Sequence, residues 1–421
     1  MRSFGDIFGQ VFQAIWANKL RSFLTMFGIA WGVGSMLLLI GVGEGFRVGQ
    51  RERLADVGSD VVMMWGGTVP AVASQHVGMK PYFLTLGDEE AIATQAPDVG
   101  HVTAVLDSDG WKEQSRFETI SGAVYGVQPN APVVRNLPLA KGRFINESDM
   151  AHRSDVIVLG SRAAEMLFPH RPALGEYVTV SGIRFLVIGV EKKVGHGDNN
   201  QQNQQVYIPL TVMMANFAIK GTDGEMVPTD AISSIQYQPR THAAHLAAVN
   251  EVHEIVARRH GFDPNAPQAF NEWDTIQSAE MVDKIFDAMD FFLGSVGLVT
   301  LGLGAVGIVN IMLVAVSERT REIGLRKAIG ATSRSILTQF FLEGITLTAL
   351  SGLIGIGGAA AFMWVLQQVL GGGMQGFAPP HIVPWTAALA LGSLTVCGVV
   401  AGVYPASRAA ALEPVEALRR E

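Results

Sequence analysis

Four histidines, His242, His245, His253 and His260, crowd residues 242–260 and are the side chains in this sequence best suited to hold a metal. A zinc site of the H-E-x-x-H kind needs two imidazoles one helical turn apart with a glutamate between them. Here Glu254 follows His253, no second histidine completes the motif, and no cysteine is nearby. On a helix the four do not share one face, so they read as solvent-facing helix histidines. Nucleophilic chemistry has no better footing: there is no G-x-S-x-G elbow and no acid–base constellation. The single cysteine, Cys397, lies in a hydrophobic run, which excludes a disulfide framework within the chain. No G-x-x-x-x-G-K-[ST] phosphate loop occurs. The expectation is no catalytic residue, no metal and no cofactor on this chain.

The other segment with chemical content is 317–336, where Arg319, Arg321, Arg326, Lys327 and Arg334 are interleaved with Glu318 and Glu322. Glu322 and Arg326 are four residues apart in the favourable order for a helical ion pair. Ile323, Ala328 and Ile329 offer apolar contacts beside these charges. Gly330 can end a short helix, and Thr332 or Ser333 can cap the next. By charge alone, the segment is either a positive loop beside a membrane or an element made for docking.

The elements that would position such a loop are set by composition. Of 421 residues, 48% are apolar and 16% charged, against about 25% charged in ordinary soluble domains. Mean hydropathy is +0.27. Residues 44–290 hold 20 Lys+Arg and 31 Asp+Glu, a net of −11, and the remaining 11 and 7 leave +4 on the flanks. A bilayer-crossing helix needs about 20 apolar residues, and four uncharged stretches meet that length: 23–43, 291–317, 344–370 and 382–407. Lys19 and Arg21 precede the first span. The 317–343 loop is basic, Arg408, Arg419 and Arg420 follow the fourth span, and 371–381 has no Lys or Arg. By the positive-inside rule both termini and the 318–343 loop are cytoplasmic, and 44–290 is outside. The first span is longer than a signal peptide core and no A-x-A-like site follows it, so it reads as an uncleaved anchor. Phe4, Phe8, Val11, Phe12, Ile15 and Trp16 recur at three- and four-residue steps, which fits either an amphipathic interfacial helix over 1–22 or a plain extension of the first span. Gly28 with Gly32, and Gly41 with Gly45, form G-x-x-x-G pairs suited to helix packing or a dimer contact. The spans carry no Asp, Glu, Lys, Arg or His, which argues against an ion-coupled carrier.

The outer block alternates strand and helix signals. Strands are expected at 60–65, 155–159, 177–180, 183–190, 206–208 and 234–237, and helices at 86–96, 161–168 and 242–260, with a hairpin at Ser181-Gly182 and a polar loop over 195–205. The fold class is therefore membrane α-helical, with four transmembrane helices and a large α+β extracytoplasmic domain inserted between helices 1 and 2.

Several segments in order resemble the MacB/FtsX-like permease family of ABC transporters, of the macrolide-exporter type: 18–33 at the start of the first span, Leu137 to Phe144, Val156 to Gly160 and Val206 to Leu210 in the outer block, the 317–336 loop, and Gly402 to Ala410 with Pro414 to Leu418 at the end. The resemblance implies that 318–331 is a coupling helix seated on an ATPase, with Glu318, Arg319, Arg321, Glu322, Ile323, Arg326, Lys327 and Ala331 as contacts. It implies a porter-like lobe at about 50–110 and 232–285 and a sabre-like lobe at about 111–231. It further implies a dimer with a second permease copy or a paralogue, and transmission of ATP-driven motion to the outer domain. With no phosphate loop in the sequence, ATP and Mg²⁺ are expected on a separate cytoplasmic ABC ATPase subunit. The setting implied is the bacterial inner membrane, among membrane lipids, with a periplasmic adaptor and an outer-membrane channel as further partners and no nucleic acid. Export is the leading function. Lipoprotein release and signalling to a cell-wall hydrolase are the alternatives carried by the same architecture.

Overall fold

The structure is a computed structural model that describes residues 19–58, 60–70, 79–195, 200–217, 219, 227–266, 268–370 and 377–413. The amphipathic repeat before residue 19 and the 414–418 motif lie outside the described residues. In chain order the elements are α1 (Lys19–Val57), β1 (Val62–Gly66), β2 (Thr68–Pro70), β3 (Met79–Pro81), β4 (Leu84–Thr85), α2 (Leu86–Gln95), β5 (Val99–Gln114), β6 (Thr119–Val127), α3 (Ala131–Val134), β7 (Leu139–Gly142), α4 (Glu147–Ala151), β8 (Val156–Leu159), α5 (Ser161–Leu167), β9 (Tyr177–Val180) and β10 (Ile183–Glu191). There follow β11 (Val206–Pro209), α6 (Leu210–Asn216), β12 (Ala231–Ile232), β13 (Ser234–Pro239), α7 (His245–His260), β14 (Phe270–Asp274), α8 (Thr275–Glu318), α9 (Thr320–Ala328), α10 (Ser333–Leu370) and α11 (Pro384–Ala411). They form two compact units, one of Met1–Gly49 with Asp283–Glu421 and one of Gln50–Val282.

The first unit is helical. Among the described residues, four helices are long and apolar enough to cross a membrane: Met26–Asp56, Thr275–Glu318, Ser333–Val369 and Pro384–Ala411. They share a core built from Ile29, Met36 and Ile40 of α1, Leu301 and Met312 of α8, Phe340 of α10 and Ala401 of α11. Their other faces are just as apolar and are turned outward: Phe291, Leu303 and Val369 are 79%, 70% and 72% exposed. Apolar patches of this extent do not persist in water, and lipid is the solvent that accommodates them. The helix around the second span starts at Thr275, well before residue 291, because lipid limits where charge can sit and not where a helix can run. Glu280, Asp283, Lys284, Asp287 and Asp290 therefore occupy its first turns.

The four glycines of the G-x-x-x-G pairs lie against this chain's own helices and loops. A Cβ on Gly32 would meet Leu301 at 3.3 Å, and one on Gly28 would meet Gly304 at 3.7 Å. One on Gly41 would sit 2.9 Å from the His381 carbonyl oxygen, and one on Gly45 would sit 2.6 Å from that of Ala378. The missing side chains let backbones close to contact distance, and the Ala378 N–H donates to the Gly45 carbonyl at 2.9 Å.

The second unit is built on one ten-stranded mixed sheet in the order β14-β1-β13-β5-β6-β11-β8-β10-β7, with β9 pairing both β10 and β5. Strand periodicity sorts its side chains onto two faces. Val206 and Ile208, Ile157 and Leu159, and Ala104 and Leu106 point into the larger core. Their neighbours Tyr207, Val158 and Val105 point into the smaller one. The expected hairpin is present: β9 and β10 pair antiparallel from Ile183↔Val180 outward. Ser181 and Gly182 take φ of 48° and 89° at its turn, as a two-residue hairpin loop of that kind demands. β5 and β6 are not among the strands expected from the sequence, and their pairing shifts register between Ser108 and Trp111 at a bulge. Within the expected polar loop, residues 196–199 lie outside the described set, while Gln202 and Asn203 are buried in a short 3₁₀ turn.

Candidate functional site

The basic loop folds into α9 between the second and third spanning helices. Arg319 flanks its start, and its last turn carries Arg326 and Lys327, where cations oppose the negative end of the helix. Gly330, at φ 107°, supplies the left-handed residue that turns the chain toward α10. Thr332 then caps α10 through its side chain, which accepts the Ser335 N–H at 3.2 Å.

The residues expected to meet a partner fall into two sets. Arg326 Nη2 lies 2.7 Å from Glu322 Oε1, and its Nη1 donates to Gln339 of α10 at 3.1 Å. Arg319 is 3.8 Å from Glu343 of α10. Lys327 Nζ donates to the carbonyls of Ala410 and Leu412 at 2.7 Å each. Ile323 is 2% exposed in the helical core, and Ala331 packs against the same cluster. The outward face is made by Glu318, Arg321, Glu322, Leu325 and Ile329. Leu325 is 52% exposed and Ile329 79%, two large apolar side chains one turn apart beside the charges. Leu325 did not stand out in the sequence. Both follow Arg321 at four-residue steps.

At the opposite end of the first and second spans, Arg47 of α1 reaches two acids one turn apart on α8: Asp287 at 2.7 Å and Asp290 at 3.3 Å. Glu44 stands 3.6 Å away, and the Phe286 ring lies 5.7 Å from the guanidinium carbon.

The second unit holds the four histidines: His242 is exposed as expected, but the other three are turned from solvent and pair with carboxylates. His245 Nε2 lies 2.5 Å from Asp274 Oδ2, His253 Nε2 lies 2.8 Å from Glu272 Oε1, and His260 Nε2 lies 2.8 Å from Asp88 Oδ2. The first two acids stand on β14, which leads into α8. Asp274 also caps α8, its Oδ1 accepting the N–H groups of Ile276 and Gln277 at 2.9 and 3.0 Å. Beside it the Thr275 hydroxyl donates to the Val61 carbonyl at 2.8 Å and accepts the Val61 N–H at 2.9 Å. Asp88 is the capping-box residue of α2 and also receives Arg259 Nε at 2.6 Å. Burial alone would raise its pKa, but the hydrogen bonds from His260 and Arg259 outweigh that and hold it below the usual carboxylate range. Among the described residues, no group of three or more His, Cys, Asp or Glu side chains could hold a metal ion.

Two further acids are buried in this unit. Glu113 of β5 is fully buried with both carboxyl oxygens unpartnered, and burial pushes its pKa up to about 8. Glu191, at the end of β10, is pushed to about 8 by burial against an opposing pull from Arg135. Arg135 Nη2 donates to Gln205 at 3.3 Å, and so does the Tyr207 hydroxyl at 3.0 Å, making a polar seam beside the smaller core.

With this geometry in view, the relatives are informative. Residues 22–255 match the MacB-like periplasmic core domain, and residues 294–414 match the FtsX-like permease C-terminal domain. The macrolide export ATP-binding/permease protein MacB of Bdellovibrio bacteriovorus is 30% identical over 415 residues, covering 98% of this chain and 61% of its own length. The ABC transporter permease YknZ of Bacillus subtilis is 29% identical over 413 residues, 97% of each chain. Among solved structures, the periplasmic region of MacB from Actinobacillus actinomycetemcomitans aligns at 18% identity and TM-score 0.42, covering 55% of this chain and 95% of that one. This chain thus spans about three-fifths of the length of the MacB proteins it matches and nearly all of YknZ. Two domain matches in the family's order, over a membrane unit with a mixed α/β domain between its first two helices, place the chain in the MacB/FtsX-like family of ABC transporter permeases.

Proposed function

We propose that this chain is the permease of an ABC export system, driven by an ATPase that docks on the outward face of α9. The observation that carries the reading is the exposure of Leu325 and Ile329 on a short helix between two spanning helices, with Arg321 and Glu322 beside them. A helix laid into a groove binds through apolar side chains at three- and four-residue steps, with charges at the rim setting partner choice. ATP and Mg²⁺ belong to the ATPase in this reading. The α9 side of the membrane is the cytoplasm of a bacterial cell, the 44–290 domain is periplasmic, and the working unit pairs this permease with a second copy or a paralogue. The second unit then divides into a porter-like lobe near 50–110 and 232–285 and a sabre-like lobe near 111–231. α1 and α8 run from the spans into the strands of the domain, so movement imposed at α9 reaches the domain as mechanical displacement. Cargo is handled by the domain and does not cross the inner membrane through the helices.

The test is co-expression with the candidate ATPase and affinity purification of the complex. Leu325→Asp with Ile329→Asp is expected to lower ATPase recovery at least tenfold while the permease itself elutes unchanged. Arg321→Ala is expected to weaken recovery only a few-fold. Full ATPase recovery with both aspartates in place would overturn the docking face. Mass spectrometry of the intact complex separates export from the alternatives: an adaptor and channel go with efflux, bound lipoproteins with lipoprotein release, and a cell-wall hydrolase with signalling.

A further inference from the structure

Lys327 belongs to the motif that distinguishes the α9 loop, yet its ammonium faces inward. Its Nζ donates to the carbonyls of Ala410 and Leu412, at 2.7 Å each, where α11 ends. The last four carbonyls of a helix have no partner within it and carry the negative end of its dipole. Lys327 therefore caps the fourth spanning helix from a different element. Around it the fit is apolar: Ile323 of α9 shares a buried cluster with Ala406 and Ala409 of α11, both fully buried, and Leu412 packs against them.

A second, independent feature lies just upstream. Pro405 is inside α11. Proline has no N–H to donate one turn back and its ring crowds the carbonyl four residues earlier, so the ladder of α11 is interrupted one turn before the capped end. The segment beyond Pro405 is thus tied to α9 by Lys327, while the proline removes one of the bonds that hold it to the rest of its own helix.

We propose that Lys327 is a latch which makes α9 and the end of α11 beyond Pro405 move as one body, pivoting at Pro405, and that it acts as a positioning residue for coupling and not as an ATPase contact. This rests on the docking reading for its function, though not for its geometry. A partner that pushes on Leu325 and Ile329 moves the latched end of the fourth span directly, while Arg326 to Gln339 and Arg319 to Glu343 hold the other side of α9 to α10.

The experiment uses nitroxide labels on Ala328→Cys and Ala411→Cys in the full chain with Cys397→Ser, both labelled positions being exposed, and reads the distance distribution by pulsed electron resonance in nanodiscs. On the chain alone, Lys327 and Lys327→Arg are expected to give one narrow distribution and Lys327→Met a broadened one. A distribution unchanged by Lys327→Met would overturn the latch. With the ATPase bound, nucleotide-free and vanadate-trapped Mg-ATP states of the Lys327 chain are expected to keep the same distance, an arm that needs no variant at Lys327. A shift between those two states would overturn it as well. Failure of the ATPase to bind defeats the docking reading, and the chain-alone comparison still decides the latch.

Discussion

His245 and Asp274 meet at 2.5 Å, and the second oxygen of the same aspartate caps the helix that becomes the second membrane span. One carboxylate thus joins the longest helix of the α/β domain to the first turn of α8. Thr275 ties the adjoining backbone to Val61 at the start of β1. Asp274→Ala should cost on the order of 1–2 kcal/mol through the lost cap. Hydrogen exchange at the Ile276 and Gln277 amides is expected to speed up markedly, while Asp274→Asn, which keeps an acceptor, is expected to preserve most of their protection.

Arg47 presents a similar joint at the ends of the first and second spans opposite to α9. Its side chain is 16% exposed and Asp290 is 14% exposed, so removing the cation strands a partly buried carboxylate. Breaking such a pair from one side costs up to about 3–5 kcal/mol when burial is complete, and less here because Asp287 is exposed. Arg47→Ala should therefore lower the melting temperature of the detergent-solubilised protein, and Arg47→Ala with Asp290→Asn should recover part of the loss.

The two buried acids make a pH prediction with a definite sign. Glu113 and Glu191 have folded-state pKa values raised from 4.5 to about 8, so folding favours the protonated form. Their contribution is fully present below the unfolded value and is lost as pH rises toward 8. Glu113→Gln and Glu191→Gln should each flatten that decline and raise stability at pH 8, by an amount on the order of a few kcal/mol for each group. Melting temperature measured from pH 5 to pH 8.5 checks this. A wild-type profile that is flat over that range would contradict it.

Gly45 is the most confined of the four packing glycines with respect to backbone. A Cβ there would stand 2.6 Å from the Ala378 carbonyl oxygen, which no rotamer can relieve. Gly45→Ala is expected to destabilise the helical unit by about 1–3 kcal/mol, as overpacking does. Gly28→Ala, with its nearest neighbour at 3.7 Å, is expected to be close to neutral.

The parts of the fold that were legible in the sequence are those set by local rules. Lipid demands long uncharged runs, so the four spans stand out. Ser181-Gly182 announces a hairpin by turn chemistry alone, and Val156–Leu159 is too apolar to be anything but buried. β5 was hidden because Asp107, Ser108, Asp109 and Gly110 look like a turn, and only pairing with β6 on both sides of a bulge carries one strand through that stretch. The histidines looked solvent-facing because Asp274, Glu272 and Asp88 are 29, 19 and 172 residues away from their partners. The inward pairing of Lys327 was hidden for the same reason: the carbonyls it holds are 83 and 85 residues further on. Periodicity could have separated Ile323 from Leu325 and Ile329, but a nine-residue helix gives too few turns to fix which face is covered.

The central claim is that the Leu325–Ile329 face of α9 receives the ATPase. Site-specific photo-crosslinking tests it most directly, with a benzophenone amino acid placed in turn at Leu325, Ile329 and Ile323 in the assembled complex. Crosslinks to the ATPase from positions 325 and 329 and none from the buried position 323 are the predicted result. A co-purifying ATPase that crosslinks from neither 325 nor 329 would contradict it.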